Sequence, residues 1–177
     1  TPNTTDRQNK RYRYGNQPNI GLWNLLQLAN ALFPLVEDPE PFETILNAYQ
    51  KNFETRSLEM MRSKLGLEKE DNNDVKLMSN LEDCLLLTET DMTIFFRLLS
   101  NYKKGAIDEG IETIYKSFYK SEALKSEMIE QWKVWFAIYD KRLNVESLSD
   151  EERQQKMNLV NPKYVLRNYM AQLAIDD

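Results

Sequence analysis

From Pro18 to Val36 the chain reads PNIGLWNLLQLANALFPLV, apolar around most of a helical surface. Leu22, Leu25, Leu26, Ala29, Leu32 and Phe33 recur at the three- and four-residue spacing of one helix face. Trp23, Leu28 and Val36 widen the stripe until only Asn24, Gln27 and Asn30 stay polar. A helix this apolar is normally central, because water on any side of it is unfavourable. The stretch from Arg11 to Leu35, which leads in through basic and aromatic residues and a Gly15-Asn16-Gln17-Pro18 turn, is therefore expected to be the piece around which the rest packs. Proline lacks an N–H, which the first helical turn does not need, so the helix should start near Pro18 or Asn19. Pro34 should end or kink it.

Helical periodicity continues along the chain. A second helix is expected from about Pro41 to Leu65, with Phe42, Ile45, Leu46, Tyr49, Phe53 and Met60 buried and Gly66 at its C-terminal turn. A third covers Asp74 to Leu87, with Leu77, Met78, Leu81 and Leu85 inward. Thr90 or Asp91 caps a fourth that carries Met92, Phe95, Phe96, Leu99 and Tyr102 and breaks at Gly105. Ile107, Ile111, Ile114, Tyr115 and Phe118 mark a fifth. The sixth runs from about Ser121 to Leu143, with Leu124, Met128, Trp132, Trp135, Phe136, Tyr139 and Leu143 along one side. An aromatic stripe could stack on a cofactor or a base, but its period is that of a core face. Ser149 with Glu152 is a capping-box pattern opening a polar helix that stops near Asn161-Pro162. The last helix carries Val165, Leu166, Tyr169, Met170 and Leu173. With no alternating strand pattern and no repeat, the fold class is all-α, an irregular bundle of about seven or eight helices. Residues 1–17 read as an extended basic and aromatic lead-in, and residues 18–177 as a single helical domain.

Composition narrows the function classes. The 177 residues carry 28 acidic and 23 basic side chains, a net charge of −5, which argues against a general nucleic-acid binder. No apolar run approaches the roughly 20 residues that span a bilayer, so no membrane partner is expected. The chain begins at Thr1 and shows no signal-peptide pattern, as expected for a piece of a longer protein or a processed chain. Asn3-Thr4-Thr5 matches a glycosylation acceptor, read here as chance. Cys84 is the sole cysteine, so no internal disulfide can form, which fits a reducing compartment. There is no histidine, which removes Ser-His-Asp and Cys-His catalysis and the commonest transition-metal ligand.

Few residues invite chemistry. None of the five glycines builds a phosphate-cradling loop. Asp71, Asn73 and Asp74 suggest a calcium loop but lack its ligand order and central glycine. Cys84 lies in an apolar run and reads as a small core residue. Arg7, Lys10, Arg11 and Arg13 form the one basic cluster, a solvated arm or an anion contact. Two polar constellations remain: Arg13, Tyr14, Asn16 and Gln17 before the apolar helix, and Asn161, Tyr164, Arg167 and Asn168 before the last one. Their side chains could clamp a loop or a ligand, and the simpler reading has them satisfying backbone groups where irregular chain meets helix. No residue is assigned a catalytic, cofactor-binding or metal-binding role.

The same two constellations carry a resemblance. Arg11-Tyr12-Arg13-Tyr14, the turn Gly15-Asn16-Gln17-Pro18 and the helix with Trp23-Asn24-Leu25 resemble the SelO family, also called YdiU or selenoprotein O. So does Asn161-Pro162-Lys163-Tyr164-Val165-Leu166-Arg167-Asn168-Tyr169, followed by Ala171-Gln172. The start, Thr1-Pro2-Asn3-Thr4-Thr5-Asp6, is also similar, and Phe95-Phe96-Arg97-Leu98-Leu99-Ser100 is a weaker match. The resemblance spans nearly the whole chain and implies a kinase-like fold that transfers AMP, rather than phosphate, from ATP to hydroxyl groups of protein substrates. It also implies ATP bound flipped relative to ordinary kinases, with magnesium, in a cytoplasmic protein that is mitochondrial in some family members.

The family's ATP-gripping Lys and Arg residues, catalytic Asp and metal-binding Asn and Asp precede the Thr1-to-Asp6 segment and have no counterpart here. Its far C-terminal tail, which can carry a redox-active Cys or selenocysteine, has none after Asp177. The resemblance therefore implies the helical C-terminal region of such an enzyme, without its active site and with no cofactor of its own. Its partners would be the N-terminal kinase-like region and, through it, the protein substrates. The alternative is a stand-alone helical protein-interaction module.

Overall fold

The structure is a computed structural model that describes residues 11–176. The arm before Arg11, with the Asn3-Thr4-Thr5 motif, Arg7 and Lys10 of the basic cluster, and the terminal Asp177 lie outside the described residues. Eight α-helices and several 3-10 turns make up the described chain, with one isolated antiparallel bridge, Thr90 to Phe118. The class is all-α, as expected. Two compact units meet along the sequence between Leu58 and Glu59.

The first unit holds α1 (Gln17–Val36) and most of α2 (Glu40–Leu65). Pro18 sits in the first turn of α1, and Pro34 is accommodated inside the helix, which runs on to Val36. Glu37 ends it in the left-handed conformation at φ 54°, with its N–H on the Phe33 carbonyl at 2.8 Å. Asp38 then caps the start of α2 by accepting the Glu40 N–H at 3.0 Å. Tyr49 of α2 donates to the Pro18 carbonyl at 3.2 Å, and a Cβ on Gly21 would stand 2.4 Å from its hydroxyl. The missing side chain at Gly21 is what lets the phenol approach α1.

The expectation for α1 as a buried centre is corrected by the structure. Ile20 is the one buried residue of the helix, while Trp23, Leu26, Leu28, Leu32 and Phe33 are exposed, Leu28 by 55%. On α2, Phe42, Leu46 and Tyr49 are half-buried, but Ile45, Phe53 and Met60 of the expected inner face are exposed. Periodicity reports that a helix has an apolar face. It does not supply the element that covers that face.

The second unit contains the end of α2, then α3 (Asp74–Leu85), α4 (Met92–Leu99), α5 (Gly110–Ile114), α6 (Ser126–Leu143), α7 (Asp150–Val160) and α8 (Asn168–Asp176). Its core is built on α6. Trp132, Trp135, Phe136, Tyr139 and Leu143 are buried, as the stripe predicted, against Leu77 and Leu81 of α3 and Phe95 and Leu99 of α4. Trp135 stacks on Tyr139 at 4.9 Å between ring centroids and meets Phe136 edge-on at 5.1 Å. Tyr102 stacks on Phe136 at 5.2 Å. Two of the buried polar tips find backbone partners, Trp135 Nε1 donating to the Leu77 carbonyl at 3.2 Å and the Tyr139 hydroxyl to that of Leu65 at 2.7 Å, whereas Trp132 Nε1 has none among the described residues.

Two glycines are required here. A Cβ on Gly110 would lie 2.5 Å from the Phe136 ring, so α5 can begin only with a bare backbone. Gly66 follows α2 at φ 71°, in the left-handed region, and a Cβ there would also strike Arg153 Cγ at 2.6 Å.

Several boundaries differ from the periodicity reading. α3 stops at Leu85. α4 ends at Leu99, well before Gly105, because Tyr102 leaves the helix to enter the core. The fifth helix is one short α-turn continued by a 3-10 turn over Tyr115–Ser117. α6 begins at Ser126, after a separate 3-10 turn at Ser121–Ala123. Val165 and Leu166 precede α8 rather than belonging to it.

Candidate functional site

The two constellations singled out in the sequence fall in different units, and each is engaged locally. In the first unit, Asn16 follows a turn closed by its N–H on the Arg13 carbonyl at 2.9 Å. Its side-chain amide donates to the Arg11 carbonyl at 2.6 Å, and that of Gln17 to the Tyr12 carbonyl at 2.6 Å. Both amides fasten the lead-in to the start of α1 by satisfying carbonyls that irregular chain leaves unpaired. The Arg11 guanidinium lies 4.2 Å from the Trp23 ring centroid, a cation–π contact within the same stretch. Arg13 is exposed.

In the second unit, Asn161 is fully buried where α7 ends. Its side-chain amide donates to the Lys64 carbonyl at 2.9 Å, and its amide oxygen accepts from Lys64 Nζ at 3.4 Å. Its own carbonyl and that of Asn158 accept from the Arg97 guanidinium at 3.1 and 3.0 Å. The last carbonyls of a helix have no partner within it, and Arg97 fills that vacancy. One asparagine thus ties the end of α2 to the end of α7, with Arg97 of α4 against the same carbonyls. Lys64 is part-buried, 5.0 Å from the Phe96 ring centroid, and burial lowers its pKa.

Arg167 pairs with Asp91 at 2.7 Å. Asp91 also caps α4, accepting the Thr93 and Ile94 N–H groups at 3.0 and 3.1 Å, and its second oxygen accepts the Tyr119 hydroxyl at 2.9 Å. Burial opposes the charge on Asp91, but the Ile94 N–H, Tyr119 and Arg167 outweigh it and hold the carboxyl below the usual carboxylate range. The hydrogen bond to Asp91 pushes the Tyr119 phenol up. Tyr164 is 80% exposed and Asn168 is exposed at the start of α8, so neither joins this cluster. Asn161 and Arg167 are therefore structural ties, and the constellation does not close around a common point.

The largest polar cluster escaped the sequence reading. Arg142 is buried at the end of α6 and donates to Asp74 at 2.7 Å, to Glu146 at 2.6 Å and to the Lys69 carbonyl at 2.5 Å. Burial works against its charge, yet the two carboxylates raise its pKa. Asp74 also accepts the Asp71 N–H at 3.1 Å, and Asp71 accepts the Asn73 N–H at 2.8 Å, so the residues that suggested a calcium loop form a helix start bolted to an arginine. Arg153, also fully buried, holds the Tyr102 carbonyl and Asp150, the latter at 2.9 Å. Asp140 accepts from the Tyr102 hydroxyl at 2.9 Å and the Gly105 N–H at 2.6 Å. The only sequence signal for these was a charged residue flanking the aromatic stripe, as at Asp140 and Arg142 beside Tyr139 and Leu143.

The arrangement is poor in reactive groups. Burial, with a smaller push from Asp83, raises the Cys84 thiol to about 11, which keeps it protonated and weakly nucleophilic at neutral pH. Among the described residues no three or more Asp, Glu and Cys side chains come together as metal ligands. The buried carboxylates Asp74, Asp91, Asp140 and Glu146 are already taken by arginines, hydroxyls or backbone N–H groups, so they do not fit a magnesium site. The cations Arg97, Arg142, Arg153 and Arg167 are held by carbonyls and carboxylates in the same way and do not converge as a phosphate clamp. No helix among the described residues is long and apolar enough to cross a membrane.

Comparison with known proteins covers the whole chain. The family model described as protein adenylyltransferase SelO matches residues 1–177. A protein nucleotidyltransferase YdiU of Flavobacterium johnsoniae is 57% identical over 177 residues, which is 99% of this chain and 34% of that protein. Similar relatives under the same name occur in Rhodopirellula baltica, 42% identical over 99% of this chain and 35% of the relative, and in Aromatoleum aromaticum, 44% identical over 99% and 33%. The chain spans about one third of the length of the curated relatives it matches.

Proposed function

The chain belongs to the SelO family of protein adenylyltransferases, and from that premise we propose that it is the helical C-terminal region of a longer enzyme that transfers AMP from ATP to protein hydroxyl groups. In this reading ATP and magnesium are handled by a kinase-like region that precedes it. The present residues carry no catalytic group and act as support for that region. The observation that carries the proposal is how the polar side chains of the second unit are used. Its arginines and carboxylates are matched to one another and to helix ends, across 68 residues of sequence at Arg142–Asp74, 76 at Arg167–Asp91 and 61 at Arg97–Asn158. Such groups fix helices in place and are not available to orient a triphosphate.

AMP transfer requires fixed cationic or metal partners for the phosphates and a means of activating the attacking hydroxyl. The described basic residues of the lead-in, Arg11 and Arg13, do not meet that requirement: Arg11 lies over Trp23, and diffuse attraction by Arg13 does not orient a reaction. Incubating the purified chain with labelled ATP, magnesium and a protein substrate is expected to give no label transfer. The same assay on a chain extended upstream through the kinase-like region is expected to give it. Robust metal-dependent labelling by the 177-residue chain alone would overturn the proposal.

A further inference from the structure

The groove between α3 and α6 has a composition that the core does not explain. On α6 the face next to the buried aromatic stripe carries Glu127, Glu130, Val134 and Ile138, at helical spacing along the groove. On α3 the facing residues include Asp83 and Cys84. The groove encloses about 500 Å³. Its floor is apolar: Val134 is 62% exposed and Ile138 39%, above the edge of buried Trp135. Its rim is acidic. Lys133 neutralises Glu130 at 3.2 Å, whereas among the described residues no ion pair is made by Asp83 or Glu127.

We propose that this groove is a docking site for a basic amphipathic helix of a partner protein, with apolar side chains on Val134 and Ile138 and Lys or Arg side chains on Asp83 and Glu127. The two walls are preformed, because Trp135 Nε1 bonds the Leu77 carbonyl at 3.2 Å and so pins α6 to α3. Little ordering is then left for binding to overcome. From Glu127 to Ile138 the groove follows about 16 Å of helix axis, the length of three turns. A helix laid there needs apolar residues at i, i+3 or i+4 and i+7, the recurring pattern of helix-in-groove recognition. Charge selects among such helices. Two unpaired carboxylates beside an apolar floor favour a cationic flank and repel an anionic one, because like charges brought together at an interface weaken it.

The test uses the full chain and three fluorescein-labelled peptides in anisotropy titrations near physiological salt. One is a helical peptide with leucines on one face and lysines elsewhere, the second replaces each lysine with glutamate, and the third scrambles the first. The first is expected to bind, and the other two to bind at least about tenfold more weakly. Val134→Lys and Asp83→Lys should each weaken the first peptide by about tenfold, since each removes one of the two features invoked. Glu112→Lys, an exposed change on α5 away from the groove, should leave binding unchanged. Circular dichroism on each variant checks that the helices are retained. Absence of binding, equal binding of the scrambled peptide, or indifference to Val134→Lys would each overturn the proposal. A dimer in sedimentation that Val134→Lys disperses would overturn it as well, by making a second copy the occupant.

Discussion

Helices α1 and α6 each carry a long run of apolar and aromatic side chains, and they end in opposite situations. α6 buries Trp132, Trp135, Phe136, Tyr139 and Leu143 among α3, α4 and the turn at Tyr102. α1 is more apolar along its length, yet Trp23, Leu28, Leu32 and Phe33 remain in contact with water. The difference is not in the helices but in what surrounds them. The stripe of α6 is met by the side chains of Phe95, Tyr102 and Phe118, and two of its polar tips by the carbonyls of Leu65 and Leu77. Among the described residues, α1 has beyond Ile20 the contact of Tyr49 with its first turn and that of Arg11 with Trp23. A contiguous exposed apolar face marks a surface built to be covered. Under the function proposed above, the region that precedes this chain would supply that cover.

The contrast can be broken most forcefully at α6. Trp132→Ala should destabilise the second unit by about 3–5 kcal/mol, from lost burial and the cavity left behind. Denaturant unfolding followed by circular dichroism would show it, and a near-neutral result would mean that the stripe is not the core. Asn161→Ala comes next. It leaves the part-buried Lys64 carbonyl without the Asn161 donor and opens a cavity at a fully buried position, and should cost about 1–3 kcal/mol by the same measurement.

Asp91 sharpens the comparison through pH. Its carboxyl is held below its usual value of 3.8 in the folded chain, so its charge contributes stability that is fully present above about pH 4. That contribution is lost as the pH falls through the lower folded value. The stability gap between the native chain and Asp91→Asn should therefore be constant near neutrality and close in acid. A gap that widened in acid would reverse the sign and refute the assignment. The smallest effect is expected on the exposed helix: Leu28→Ala should change stability by no more than about 0.5 kcal/mol, as exposed substitutions usually do.

What could be read from the sequence follows the reach of each interaction. The capping box at Ser149 and Glu152, the Asp91 cap and the turn at Gly66 are fixed by neighbours two or three residues away, and they were legible, the cap as one of two candidates, Thr90 or Asp91. The core face of α6 was legible because packing on one side imposes a helical period. The Arg142 cluster was not, since its carboxylate Asp74 lies 68 residues upstream and nothing local distinguishes a buried arginine from a solvated one. The Asn161 tie to Lys64, 97 residues apart, was legible only as a polar residue at a helix end. The error on α1 has the same origin: an apolar surface is local, and its cover is not.

Hydrogen–deuterium exchange, read by mass spectrometry on peptides from α1 and α6, tests the central claim most directly. In the chain alone, α6 amides should be protected up to the stability of the second unit. Those of α1 should exchange far faster through local opening, since few buried contacts hold that helix. In the chain extended upstream through the kinase-like region, α1 should become protected to a similar degree while α6 hardly changes. If α1 exchanges equally fast in both chains, or is already as protected as α6 in the shorter one, it is not a face awaiting the rest of an enzyme.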